Sequence, residues 1–372
     1  MHRGGALVRP ERAARPRRGR RRPRRARARR PGGRPEADRG GGGGAGGEGL
    51  TVAIKPPALP ERATIAVVAP ASPPQTRSDI EQATAYFESR GHEVVFGPNH
   101  RNVHGYLAGT DEERAADLQW ALSEPGIDMV HALEGGYGTA RLHPLIDWGA
   151  IGDPRIVCGF SDLTALHLFI AAHAGWVSLY GPSFLRFTRT KGDYELTRET
   201  EEWFHRALRP EPLGRVFEDP EDPYVLTLAD GVAEAPLVGG CLTLLCSSIG
   251  TPYEVDTDGC ILIVEDLNTE AYLIDTALNH LRLAGKLDNI AGFAFGTSVN
   301  LGYQTLPEGP ESMLSIEEIL DELIAPLGVP AIANVPFGHG KHMATMPLGA
   351  KARINGAAKS LEIVEAAVEE GK

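Results

Sequence analysis

The chain has no C-x-x-C pair, no G-x-G-x-x-G fingerprint, no cluster of metal ligands and no internal repeat. It also lacks any uninterrupted apolar run near the roughly 20 residues that cross a bilayer. Each absence excludes a class of protein. The four cysteines, Cys158, Cys241, Cys246 and Cys260, lie singly inside apolar segments, as small core residues do, so neither a zinc site nor a disulfide framework is expected. Without a dinucleotide fingerprint or clustered ligands, no cofactor and no metal is expected.

Apolar residues are also scarce in the first fifty positions, where sixteen arginines stand against four acids, a net of +12. The whole chain carries −11, which leaves −23 for residues 51–372. Segment 1–50, with its Arg runs and the glycine tract Gly40 to Gly47, cannot bury a core and reads as a disordered extension outside the folded part. Its basic stretch runs directly into glycine and Glu48 with no hydrophobic stretch behind it, so no export signal is visible and the chain reads as cytoplasmic. An acidic body repels nucleic acid and anionic membranes, and neither is expected as a partner.

From Thr64 onward, short apolar runs alternate with amphipathic stretches, the pattern of a parallel α/β fold. Strands are expected at Thr64 to Ala71, His92 to Phe96, Met129 to Leu133 and Arg155 to Gly159, with helices at Ser78 to Arg90, Asp111 to Ser123 and Leu163 to Ala174. An α/β unit of the Rossmann or flavodoxin type is therefore expected over 62–185. A polar stretch rich in Pro, Asp and Glu over 186–234 reads as a linker and boundary. A second α/β unit follows over 235–366, with strands at Cys260 to Val264, Gly292 to Gly296, Ala331 to Val335, Ala350 to Ile354 and Leu361 to Val364.

Four loops at strand ends carry chemistry. Gly159-Phe160-Ser161-Asp162 leads from a strand through a tight turn into a helix, where a serine hydroxyl is exposed beside free helix N–H groups. The other reading of that turn is a helix cap by Ser161 or Asp162. In Glu134-Gly135-Gly136-Tyr137-Gly138 the glycines permit close backbone approach, and the Gly136 N–H could join that of Asp162 at an oxyanion; a plain turn or a phosphate cradle fits the same residues. Glu265-Asp266 ends an apolar strand, where an acid can orient a histidine or cap a helix. His339, between Gly338 and Gly340, can serve as a general base, and with His342 it is also a weak metal candidate. The chain order Ser, Glu, His is that of a hydrolase triad.

Taken together with Tyr106 to Arg114, Tyr180-Gly181-Pro182 and Gly250 to Tyr253, these motifs resemble the successive signatures of the LD-carboxypeptidase family between about Thr64 and Val364. The resemblance implies an N-terminal α/β domain with the serine and a smaller C-terminal α/β domain with the glutamate and histidine. The site would lie between them, usually within a homodimer. It implies Ser161 as nucleophile, His339 as base, Glu265 as triad acid, and the N–H groups of Gly136 and Asp162 as oxyanion donors. The substrate it implies is a small muropeptide that loses its terminal D-alanine. The related microcin-immunity peptidases, which act on aminoacyl-nucleotide or other toxin conjugates, share most of the motifs and supply the alternative. Two residues depart from the pattern. Glu134 stands where murein-cleaving members commonly carry Arg, and Cys241 where Asn is common. Glu134 is therefore a candidate substrate contact, as are Arg141, Arg186 and Lys341, any of which could offset its charge.

Overall fold

Short apolar runs are buried on both faces when helices cover a parallel sheet, and β1 (Thr64–Val68) and its successors follow that rule. The computed structural model describes residues 53–74, 76–188, 195–297, 301 and 314–371, so the Arg/Gly-rich segment 1–50 lies outside the described residues. After β1 come α1 (Arg77–Glu88), β2 (Glu93–Phe96), α2 (Asp111–Ser123), β3 (Met129–Ala132), β4 (Ile156–Gly159), α3 (Thr164–His173) and β5 (Ser178–Tyr180). The chain continues through α4 (Arg198–Ala207), β6 (Gly214–Arg215), β7 (Leu226–Ala229), β8 (Val232–Cys241), α5 (Leu242–Ser248), β9 (Ile261–Glu265) and α6 (Ala271–Leu283). It closes with β10 (Gly292–Thr297), α7 (Ile316–Leu323), β11 (Ala331–Gly338), β12 (Met346–Leu348), β13 (Lys351–Asn355) and β14 (Ser360–Ile363).

Local signals account for the element ends. Thr110 and Glu113 form a capping box at the start of α2, whose Ala115, Leu118, Ala121 and Leu122 face the core. The first sheet has the order β12-β5-β4-β3-β1-β2, and β1 to β5 are parallel. Strand order reverses at β1, between β2 and β3, and the crevice beyond the carboxyl ends there is where open α/β sheets bind ligands. The second sheet runs β6-β14-β13-β8-β9-β10-β11-β7 with a parallel centre from β8 to β11. Its antiparallel flanks make it the wider of the two, eight strands to six.

Two departures from the sequence reading stand out. The stretch 186–234 is not simply a linker: α4 lies within it and buries Thr200, Trp203, Phe204 and Ala207 at helical spacing. Trp203 Nε1 donates to Thr345 O at 3.0 Å. The amphipathic period outweighs the polar composition around it. The first sheet also takes a strand from far along the chain, because β12 pairs antiparallel with β5, Met346 opposite Tyr180. One core is shared by both sheets, running from Ile65 and Val67 to Ile261, Ile263 and Ile332.

Two core histidines give this fold a pH dependence. Burial pushes His131 and His167 down to about 4. His131 packs among Phe87, Phe184 and Phe204, and His167 reaches Gly159 O and Ser178 Oγ, each at 2.9 Å. Above an ordinary imidazole pKa of ~6.5 these groups are neutral whether the chain is folded or not. As pH falls from there toward 4, the unfolded chain binds protons that the folded chain refuses, so stability declines through that window. Thermal melts at pH 7, 5.5 and 4.5 should show Tm falling on the order of 5 °C or more; a flat Tm from pH 7 to 4.5 would contradict this.

Candidate active site

Strand β4 ends at Gly159, Phe160 stays extended, and Ser161 turns into the left-handed region at φ 63°. A non-glycine residue held there costs on the order of 1 kcal/mol, so its surroundings must enforce it. They do so with two bonds. The Ser161 N–H donates to Tyr180 Oη at 3.1 Å, and Thr164 Oγ1 donates to Ser161 O at 2.7 Å. Among the described residues no side chain caps the turn or α3, and neither Ser161 nor Asp162 serves as a helix cap. Thr164 Oγ1 also accepts the Cys241 N–H at 2.9 Å and thereby ties the elbow to β8. A side chain at Gly240 would overlap that threonine, so β8 can come this close only with glycine there.

The glycine tract after β3 is fastened at its C-terminal end. The Thr139 N–H donates to Asp162 Oδ2 at 2.8 Å, and burial pushes the Asp162 carboxyl up. Arg114, 1% exposed, donates to Gly138 O at 3.0 Å and to Pro70 O, and pairs with Asp111 at 2.5 Å. Residues from the loop after β1 and from α2 thus set the position of the tract. Gly136 has φ 118°, and a Cβ there would collide with the Ser72 side chain. Among the described residues no hydrogen bond occupies the N–H of Gly136 or of Asp162. Both remain available to an oxyanion.

The two carboxylates at the end of β9 separate cleanly. Asp266 accepts from Thr243 N–H at 3.0 Å and Thr243 Oγ1 at 2.6 Å, and so fastens the start of α5. Glu265, fully buried, faces His339 instead: Oε2 meets Nδ1 at 2.5 Å and the backbone N–H at 3.2 Å. The ring of His339 leans on Phe160, with centroids 5.0 Å apart. The Nδ1 side of the ring is thus turned to the carboxylate, and the Nε2 side is directed away from it. His342 lies elsewhere, 3.1 Å from Glu199, and no group of metal-ligating side chains occurs among the described residues.

A cavity of about 360 Å³ joins these loops, and Ser161, Gly136 and His339 all line it. Of the four charged candidates, Glu134 and Arg186 stand on its wall. Arg186 is 1% exposed and donates to Lys341 O at 2.6 Å, which fixes the loop that follows His339. Arg141 and Lys341 do not line the cavity. Arg141 is held 2.8 Å from Asp111, and Lys341 2.5 Å from Glu221 and 3.3 Å from Glu195. Nearer acids outcompete the cleft for both cations. Nothing in the sequence alone gives Tyr180, Arg114 or Thr164 a role, although all three belong to the family-like motifs, Thr164 in the run Gly159 to Ala165.

Residues 65–181 match the family model of the LD-carboxypeptidase N-terminal domain, and residues 234–354 that of the LD-carboxypeptidase C-terminal domain. A probable murein peptide carboxypeptidase of Bacillus subtilis strain 168 is 37% identical over 326 residues, covering 85% of this chain and 96% of the relative. The solved structure of a muramoyltetrapeptide carboxypeptidase from Oxalobacter formigenes superposes with a TM-score of 0.67 at 28% identity, covering 81% of this chain and 97% of that one. The microcin C7 self-immunity protein MccF superposes with a TM-score of 0.76 at 21% identity, covering 85% and 100%, a likeness of fold alone. With both domains matched across the stretch that carries the signatures, and a relative alike over nearly its whole length, the chain belongs to the LD-carboxypeptidase family and is a peptidase of that kind.

Proposed function

We propose that this peptidase releases the terminal D-alanine from murein tetrapeptides by hydrolysing an L,D-peptide bond, with Ser161, His339 and Glu265 as its triad. The observation that carries the reading is the convergence on one cavity of a serine held in a left-handed elbow and a histidine bonded to a buried carboxylate. The peptide carbonyl sits between Ser161 Oγ and the N–H groups of Gly136 and Asp162. His339 Nε2 takes the serine proton as Oγ attacks, and Glu265 holds the imidazolium. The oxyanion is stabilised by the two N–H groups until the intermediate collapses and His339 returns the proton to the leaving amine of D-alanine. Water, deprotonated by the same imidazole, then hydrolyses the acyl-enzyme. In this reading Arg186 and Glu134 bracket a substrate that carries both a carboxylate and an ammonium near the scissile bond. The boundaries of the two domains, near 62–185 and 235–366, belong to the same proposal, as do a homodimeric assembly and a cytoplasmic site of action. Free thiols at all four cysteines support a reducing compartment. No helix among the described residues is long and apolar enough to cross a membrane.

Incubation with murein tetrapeptide, its all-L analogue and an aminoacyl-adenylate, with and without EDTA, tests the proposal, free alanine being read by mass spectrometry. The tetrapeptide should lose D-alanine at a rate indifferent to EDTA, and the all-L peptide should react far more slowly, because the oxyanion donors fix the carbonyl face that is attacked. Inhibition by EDTA would overturn the mechanism. Cleavage of the adenylate with none of the tetrapeptide would instead assign the chain to the immunity type.

A further inference from the structure

Tyr180 joins the serine and the acid directly. It ends β5, beside Gly159 of β4, and is fully buried. Its Oη accepts the Ser161 N–H at 3.1 Å while its O–H is directed at Glu265 Oε1. A backbone N–H can only donate, so the phenol oxygen is the acceptor toward Ser161, and its own proton is the one directed to Glu265 Oε1. Three donors therefore converge on that acid: the Tyr180 hydroxyl on Oε1, and the Nδ1 and backbone N–H of His339 on Oε2. Burial and the Glu265 charge push the Tyr180 hydroxyl well above its ordinary value, so the phenol stays protonated.

Other groups facing this pair leave the phenol as the variable donor. The Cys241 thiol, in register with Glu265, is pushed up by burial and by the charges of Glu265 and Asp266 and stays neutral. Asp266 is engaged by Thr243, Leu267 and Thr269. Beyond His339, Lys341 and His342 turn to Glu221 and Glu199, and Glu134 and Arg186 share the cavity wall with the imidazole.

We propose that Tyr180 is a positioning residue for the peptidase reaction: it holds Ser161 in the left-handed conformation and, through Glu265, lowers the basicity of the His339 imidazole. The inference rests on the triad reading above. A donor bonded to a carboxylate disperses its charge, so the carboxylate stabilises a neighbouring imidazolium less than it would alone. Tyr180→Phe removes the donor but keeps the ring. Glu265 should then hold the imidazolium more firmly, and the acidic limb of the kcat/KM profile should move to higher pH. The freed Ser161 N–H loses its acceptor, and the elbow loses one of its two restraints.

The test compares full-length wild type and Tyr180→Phe on murein tetrapeptide from pH 5 to 9, while proton NMR follows the downfield Nδ1 resonance of the histidine–carboxylate pair. Expected are a kcat about 10- to 100-fold lower, a KM within about threefold, and a limb and NMR midpoint about half a unit or more higher. A second variant with 3-fluorotyrosine at position 180 keeps both contacts with a more acidic hydroxyl and should move both midpoints the other way. Unmoved midpoints in the two variants, or an unchanged kcat in Tyr180→Phe, would overturn the proposal. Failure of the triad reading has its own signature, an active Ser161→Ala enzyme and no downfield resonance in the wild type, and it would overturn both.

Discussion

Ser161→Ala is expected to cut kcat by about 10³- to 10⁶-fold while leaving substrate affinity nearly intact. The substituted chain keeps the cavity, the Glu265–His339 pair and the charged wall at Glu134 and Arg186, so binding should survive the loss of the hydroxyl. His339→Ala should match it, since a triad acts as a unit and removal of its base leaves the hydroxyl protonated. Glu265→Gln should leave more activity than either, because the imidazole can still accept a proton when its orientation is merely degraded. Steady-state kinetics on murein tetrapeptide, with binding of a non-hydrolysable analogue measured alongside, separates kcat from affinity. If Ser161→Ala retained a tenth of wild-type kcat, Ser161 would not be the nucleophile.

Arg114→Met is expected to destabilise the fold by about 2 to 5 kcal/mol and to lower kcat at least about tenfold, although Arg114 does not line the cavity. The guanidinium is buried and satisfies the carbonyls of Pro70 and Gly138, one in the loop after β1 and the other at the end of the glycine tract. Methionine fills most of the volume but donates nothing, so the Pro70 carbonyl loses its donor, Gly138 O keeps only the Arg141 N–H, and the tract that carries Gly136 loses an anchor. Asp111 keeps Arg141, so the loss is chiefly one of hydrogen bonds. Thermal melts and kcat on the same preparations check this. Should the methionine variant fail to fold, Arg114→Lys provides the gradation, with an intermediate Tm and kcat. A variant with unaltered Tm and kcat would show that the arginine does not hold the tract.

Much of this arrangement is legible before any fold is known. Parallel strands buried on both faces are continuous apolar runs, and the turns that follow them are marked by Gly159, Gly135-Gly136 and Gly338, so β1, β3, β4, β9 and β11 can be read off with the loops they carry. Helix α2 is bounded by its own capping box, a signal confined to four residues. Ser161, Glu265 and His339 become candidates because each follows such a strand and because the motifs around them resemble a known family.

Tertiary structure decided everything that depends on residues far apart in sequence. Composition hid α4 inside a polar stretch, since its apolar face has meaning only where it meets Thr345 and the shared core. Nothing local in Met346–Leu348 points to the first sheet, because β12 joins it through partners more than 160 residues earlier. Glu265 and Asp266 are neighbours with equal local claims, and only the position of His339 against one and Thr243 against the other tells acid from anchor. Arg141, Arg186 and Lys341 are likewise equivalent as sequence. Coulomb attraction falls with distance, so the acids the fold brings nearest, Asp111 for one and Glu221 for another, took two of the three cations away from the cleft and left Arg186 on its wall.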